Sequence, residues 1–172
     1  MTATTHITVS CLITTLTLQT FSGNIKRYVI VTVVSLLSHF MLDLLPHGFI
    51  AKPTTLFRKL WPTLLELLPG PIMLVATISL FGNGMLFVSA ALFSTLPDII
   101  TTLYYKRRHL VSSFAPLLYL HILHRMVHWF ETEHPDGSCS YRFPRFPLLA
   151  GEALFICCVL FCLLKQSSTK PF

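Results

Sequence analysis

The stretch YVIVTVVSLLSHFMLDLL, residues 28–45, decides the fold. It is almost wholly apolar, and a helix needs roughly 20 such residues to cross a bilayer core of about 30 Å. Its β-branched start does not argue for a strand. In lipid every backbone group must find its partner within the protein, and a helix supplies those partners from its own segment. Pro46 ends the run. His39 and Asp43, near that end, are ionisable side chains in a stretch that otherwise reads as lipid-facing.

Flanking segments extend the pattern. On the N-terminal side, residues 6–21 form a Thr-rich, moderately apolar segment, joined to the first stretch by a polar turn over 22–27. On the other side, residues 51–61 mix Lys52, Arg58 and Lys59 with Phe57 and Trp61, as interfacial connections do. Pro69, Gly70 and Pro71 interrupt the next apolar run, leaving 72–81 as its cleaner helical part, and Gly82, Asn83 and Gly84 form a tight turn. A further helix opens at Met85. Thr95 and Asp98 stand at capping-box spacing around Pro97, so this helix is expected to restart there. Residues 116–130 form a helix with three histidines, 131–147 a polar loop, and 148–164 a last apolar span. The expected fold is all-α: a polytopic transmembrane bundle of about five to six helices, one domain over residues 1–172.

Composition supports this. Of the 172 residues 53% are hydrophobic and 12% charged, whereas soluble domains average about 25% charged. The net charge of +6 would point to nucleic acid in a soluble protein. Here the basic residues sit in short clusters between apolar runs, with no basic face or stacking platform, so lipid headgroups are the expected partners and nucleic acid is not. The five cysteines form no Cys-x-x-Cys pair. They read as small apolar side chains rather than a disulfide framework. No basic residue precedes the first apolar segment, so no cleavable signal peptide is expected.

If all six segments cross, Lys52, Arg58, Lys59, Lys106, Arg107, Arg108, Lys165 and Lys170 share one side, opposite Lys26, Arg27, Arg142 and Arg145. The positive-inside rule then puts both termini in the cytoplasm. A re-entrant histidine segment would exchange the last two pairs and leave the bias unchanged.

Ionisable groups are penalised in lipid and mark function. His39 and Asp43 are four apart and share a helix face. An imidazole and a carboxylate so placed can both bind a divalent cation. His47 continues the spacing beyond Pro46. Asp98 follows Pro97 in apolar sequence, where an acid would ordinarily serve as a cap. His121, His124 and His128, at offsets of three and four, fall on one stripe. A lone buried histidine is usually a hydrogen-bonded core residue. Three on one stripe, with two acids elsewhere in apolar helices, favour a shared metal site of nitrogen and oxygen ligands, best suited to zinc, manganese or iron.

The run Leu37-Ser38-His39-Phe40-Met41-Leu42-Asp43-Leu44-Leu45-Pro46-His47-Gly48, followed by Leu96-Pro97-Asp98 and the histidine helix, resembles small bacterial membrane proteins classed as metal-dependent hydrolases. The resemblance covers most of the chain in order and spacing. It implies a helical bundle in the bacterial inner membrane, with a polar metal site near one membrane face. In that pattern an acid commonly follows the Pro-His element, where this chain has Phe49.

The resulting expectation is a metalloprotein, with hydrolysis of a phosphoester or lipid-linked small molecule as its candidate activity. His39, Asp43, Asp98, His121, His124 and His128 are the candidate metal ligands, zinc or manganese the expected ion, and His47 the candidate catalytic acid or base. The competing class is non-enzymatic, with the same side chains relaying protons or ions or fixing helix packing. Geometry poses one requirement. At 1.5 Å per residue, His128 lies roughly 18 Å from the start of a helix that begins near Pro116. Convergence on His39 and Asp43 therefore needs a re-entrant or interfacial histidine helix, or else two separate sites.

Overall fold

A computed structural model describes residues 3–45, 68–128, 131–133, 139–141 and 145–168. His47 and the expected interfacial stretch 51–61 lie outside the described residues. Seven helices follow in order: α1 (Ala3–Thr20), α2 (Asn24–Asp43), α3 (Pro69–Phe81), α4 (Gly84–Lys106), α5 (Arg108–Ser112), α6 (Ala115–Val127) and α7 (Arg145–Ser168). Between α6 and α7, inside the expected polar loop, a short antiparallel hairpin pairs β1 (Glu131–Glu133) with β2 (Cys139–Tyr141), Glu131 opposite Tyr141.

The Thr-rich α1 packs against α2, α3, α4 and α7. Its buried face is built of small polar residues such as Thr4, Thr8, Ser10, Thr14 and Thr15. Their hydroxyls need partners in an apolar interior, and several find them one turn back: Thr8 donates to the Thr4 carbonyl at 2.7 Å, Thr14 to Ser10 at 2.8 Å and Thr15 to Cys11 at 2.9 Å. Self-satisfied in this way, hydroxyls can pack at helix contacts without reaching water. Gly70, in the first turn of α3, touches α1: a Cβ there would stand 2.9 Å from Ile7 Cδ1 and 3.2 Å from the Thr4 Cα.

On α2 the inward stripe recurs every fourth residue: Val31, Ser35, His39 and Asp43 are buried. The outward stripe is apolar, with Val29, Val33, Leu37 and Met41 48–65% exposed. Polar groups face inward and hydrocarbon outward, the reverse of a soluble helix. Among the described residues two helices, α2 and α4, are long and apolar enough to cross a bilayer, while α3 and the stretch Ala153–Leu163 of α7 are shorter apolar helices.

α4 does not restart at Pro97. It runs unbroken from Gly84 to Lys106 with Pro97 inside it. The expected capping box is absent because the Thr95 hydroxyl donates back to the Ala91 carbonyl at 2.9 Å, which leaves the Asp98 carboxylate free to face another helix. Pro69, by contrast, occupies the first turn of α3, where its missing N–H removes no helical bond. Gly82 and Asn83, both at positive φ, make the expected turn into α4.

Candidate metal centre

His39 and Asp43 sit on the last turns of α2, Asp98 on α4 just after Pro97, and His124 near the end of α6. Each offers one ligand atom, and the four atoms lie within 4.8 Å of one another. His39 Nε2 is 2.9 Å from Asp43 Oδ2, and His124 Nε2 is 3.2 Å from the same oxygen and 3.1 Å from Asp98 Oδ1. Coordinating atoms around an ion with bonds of about 2.0–2.2 Å stand roughly this far apart. α6 has 13 residues, a rise of about 20 Å, and reaches the group from its C-terminal end.

Two more histidines border the cluster. His128 Nε2 lies 3.1 Å from Asp43 Oδ2 and 3.0 Å from His124 Nε2. His6, in the first turns of α1, places Nε2 3.2 Å from Asp43 Oδ1, and its ring stacks on His39 with centroids 4.1 Å apart. Asp43, 1% exposed, is thus approached by four imidazoles. His6 is not in the set that spacing singles out, because it stands alone in a hydroxyl-rich segment with no acid or histidine one turn away. The signal that finds it is the one that marks Asp98: an ionisable side chain inside an otherwise lipid-compatible helix.

The hydrogen bonds behind these rings set what they present. His39 Nδ1 lies 2.6 Å from the Ser94 carbonyl oxygen. A carbonyl only accepts, so Nδ1 carries a proton, and in the neutral tautomer the ring would turn the lone pair of Nε2 toward Asp43. This is the backing that metal-bound histidines use. His39 Nε2, though 2.9 Å from Asp43 Oδ2, is not aligned for a hydrogen bond. Among the described residues, that atom and both ring nitrogens of His6 are buried with no hydrogen-bond partner. The Nε2 atoms of His124 and His128 are within hydrogen-bonding distance of Asp43 Oδ2, at 3.2 and 3.1 Å; in the tautomers that turn lone pairs to the carboxylate, a cation among them would offset the repulsion. Two carboxylates and neutral imidazoles match a divalent ion in both charge and donor type. The residues present therefore fit a metal.

His121 lies outside the group of four. Its Nδ1 is 3.1 Å from the hydroxyl of Thr101 on α4, and its ring stacks on Tyr104. The cysteines of α7, Cys157, Cys158 and Cys162, are exposed and free. Asp98 is its open edge: the side chain is 37% exposed, whereas His39 is fully buried. No family model, curated protein or solved structure matches the chain.

Proposed function

We propose that the chain is an integral membrane metalloprotein of about five to six spanning segments, and that it hydrolyses a phosphoester or lipid-linked substrate at the cluster of His39, Asp43, Asp98 and His124. The observation that carries this reading is the meeting of those four ligand atoms within 4.8 Å, from three helices distant in sequence. Lipid penalises each of these groups singly; gathered round a cation they satisfy one another.

Support for the membrane comes from the inverted stripe of α2 and from the hydroxyl-lined α1, packed among four other helices. In this topology the cluster lies toward the cytoplasmic ends of α2 and α4, with α6 as a re-entrant or interfacial helix. Zinc or manganese suits the nitrogen and oxygen donors.

His39 and His124 would hold the ion through Nε2, and Asp43 and Asp98 through carboxylate oxygens. A divalent ion so held supplies Lewis-acid activation of water and of a phosphoryl oxygen. Asp98, at the exposed edge, faces the side from which substrate and water enter. The buried His6, His39 and Asp43 close the opposite side against solvent. The exposed apolar faces of α2 and α4 let a lipid-linked substrate approach from the bilayer.

A proton relay is the second reading, favoured by the 3.0 Å approach of His124 and His128 through their Nε2 atoms, which a shared proton would also explain. One experiment separates the two. The protein, purified in mild detergent and stripped with a chelator, is assayed on a lipid phosphoester with zinc or manganese returned. Metal-restored hydrolysis that His39→Ala abolishes supports the hydrolase. Ion flux in liposomes that is indifferent to chelator, with no hydrolysis, supports the relay.

A further inference from the structure

The Thr101 hydroxyl lies between two imidazoles, 2.8 Å from Nδ1 of His124 and 3.1 Å from Nδ1 of His121. One hydroxyl has one proton to give. It can therefore accept from one ring and donate to the other, but it cannot donate to both. Its two lone pairs can also accept from both rings at once, which puts the His124 proton on Nδ1; where the hydroxyl bridges the rings in sequence, two arrangements exist, and they differ in the tautomer of His124. In one, His124 donates its Nδ1–H to Thr101, Thr101 donates to His121, and the Nε2 of His124 is left as a lone pair. In the other every bond is reversed, and His124 carries its proton on Nε2.

His124 Nε2 is the atom that stands 3.2 Å from Asp43 Oδ2 and 3.1 Å from Asp98 Oδ1. We infer that Thr101 and His121 are positioning residues, which hold His124 in its ligand tautomer through the chain His124 Nδ1–H to Thr101 Oγ1–H to His121 Nδ1. The inference rests on the metal reading above and assigns His121 a role other than ligand.

The surroundings of His121 are built to fix its ring. It is 7% exposed, stacks on Tyr104 at 4.0 Å and 19°, and meets Tyr105 edge-on at 6.0 Å. Arg108 in turn lies over Tyr104, its Cζ 5.6 Å from the ring centroid. The acceptor nitrogen of His121 is thus held toward Thr101 by the aromatic pair one turn further along α4. Ser94 does the same for His39 with a backbone carbonyl. The two ligand histidines are oriented from the same helix, one by its main chain and one by a side chain.

The test is a cobalt titration of the full chain in detergent, followed by its visible absorption. Thr101→Val keeps the shape but breaks the chain, and is expected to weaken cobalt binding about 10–100-fold, the usual effect of removing such backing. Thr101→Ser restores the hydroxyl and should bind like the wild type. His121→Phe keeps the stack on Tyr104 without the acceptor, and should weaken binding less than Thr101→Val. On the wild-type protein, nitrogen NMR of labelled histidine in the zinc-loaded state should show His124 bound through Nε2 with Nδ1 protonated; this holds even if a variant fails to fold. Equal cobalt affinity in Thr101→Val and wild type, or coordination through Nδ1, overturns the inference and leaves the metal reading standing. A wild-type protein that binds no cobalt overturns both.

Discussion

The Nδ1 of His39 on α2 lies 2.6 Å from the main-chain carbonyl of Ser94 on α4, three residues before Pro97. Small residues make the approach feasible: Ser35, Ala90 and Ser94 are all fully buried. The bond ties the ligand tautomer of His39 to the backbone of a second helix.

Pro97 has no N–H to offer the Phe93 carbonyl, and its ring crowds that turn. Pro97→Ala would restore the helical bond and shift the turn that presents Ser94 and Asp98. Metal affinity should fall by roughly tenfold or more while helix content holds, as read by metal titration beside circular dichroism. Unchanged affinity would dissociate the Pro-Asp element from the site.

Asp43 is the carboxylate that all the neighbouring imidazoles share. A metal that binds only the folded state stabilises it by about 2.7 kcal/mol at a concentration a hundredfold above its Kd. Wild-type protein in detergent should therefore melt at a higher temperature with zinc or manganese than with chelator. Asp43→Asn should abolish that difference, and a variant that keeps the full metal-dependent shift would remove Asp43 from the ligand set.

At Gly70 a methyl group would stand 2.9 Å from Ile7 Cδ1 and 3.2 Å from the Thr4 Cα, and the backbone atom cannot swing aside. Gly70→Ala should cost about 1–3 kcal/mol of stability and displace the turn that carries His6. Gly84→Ala, whose nearest contact is an ordinary 3.5 Å from Ile78 Cγ2, is the control. Thermal denaturation of the two variants side by side decides the matter.

Val33 is 48% exposed near the middle of α2. If lipid covers it, Val33→Arg should raise the cost of membrane insertion by about 2.5–3.5 kcal/mol and shift protein from the alkali-resistant membrane fraction to the soluble or degraded pool. Unchanged membrane retention would mean that this face of α2 meets water or protein.

The sequence shows some of this directly. The spacing of His39 and Asp43 puts them on one face of α2, and the offset of three puts His121 and His124 on one face of α6, with His128 at its C-cap. Other features depend on contacts between helices, which spacing along one helix does not report. Asp98 has the look of a cap because Thr95 stands three residues before it; only the Thr95 bond to Ala91 shows that the helix continues. The Thr-rich α1 is weakly apolar, yet it is packed against four other helices, since its hydroxyls bond its own carbonyls. For the same reason His6, alone on that helix, gains meaning only when α1 is packed against α2. His121 shares a stripe with His124 and both meet the Thr101 hydroxyl through Nδ1, but it is His124 that belongs to the group with Asp43 and Asp98.

Metal content of the chain, purified from membranes without added chelator and measured by mass spectrometry against protein concentration, bears most directly on all of this. About one zinc or manganese ion per chain is expected in the wild type, from the cluster of four ligand groups among the described residues, with loss of that ion in Asp43→Asn and in His39→Ala. A well-folded wild-type protein with no stoichiometric transition metal, which takes up none when zinc or manganese is supplied, would mean that these side chains meet for another reason.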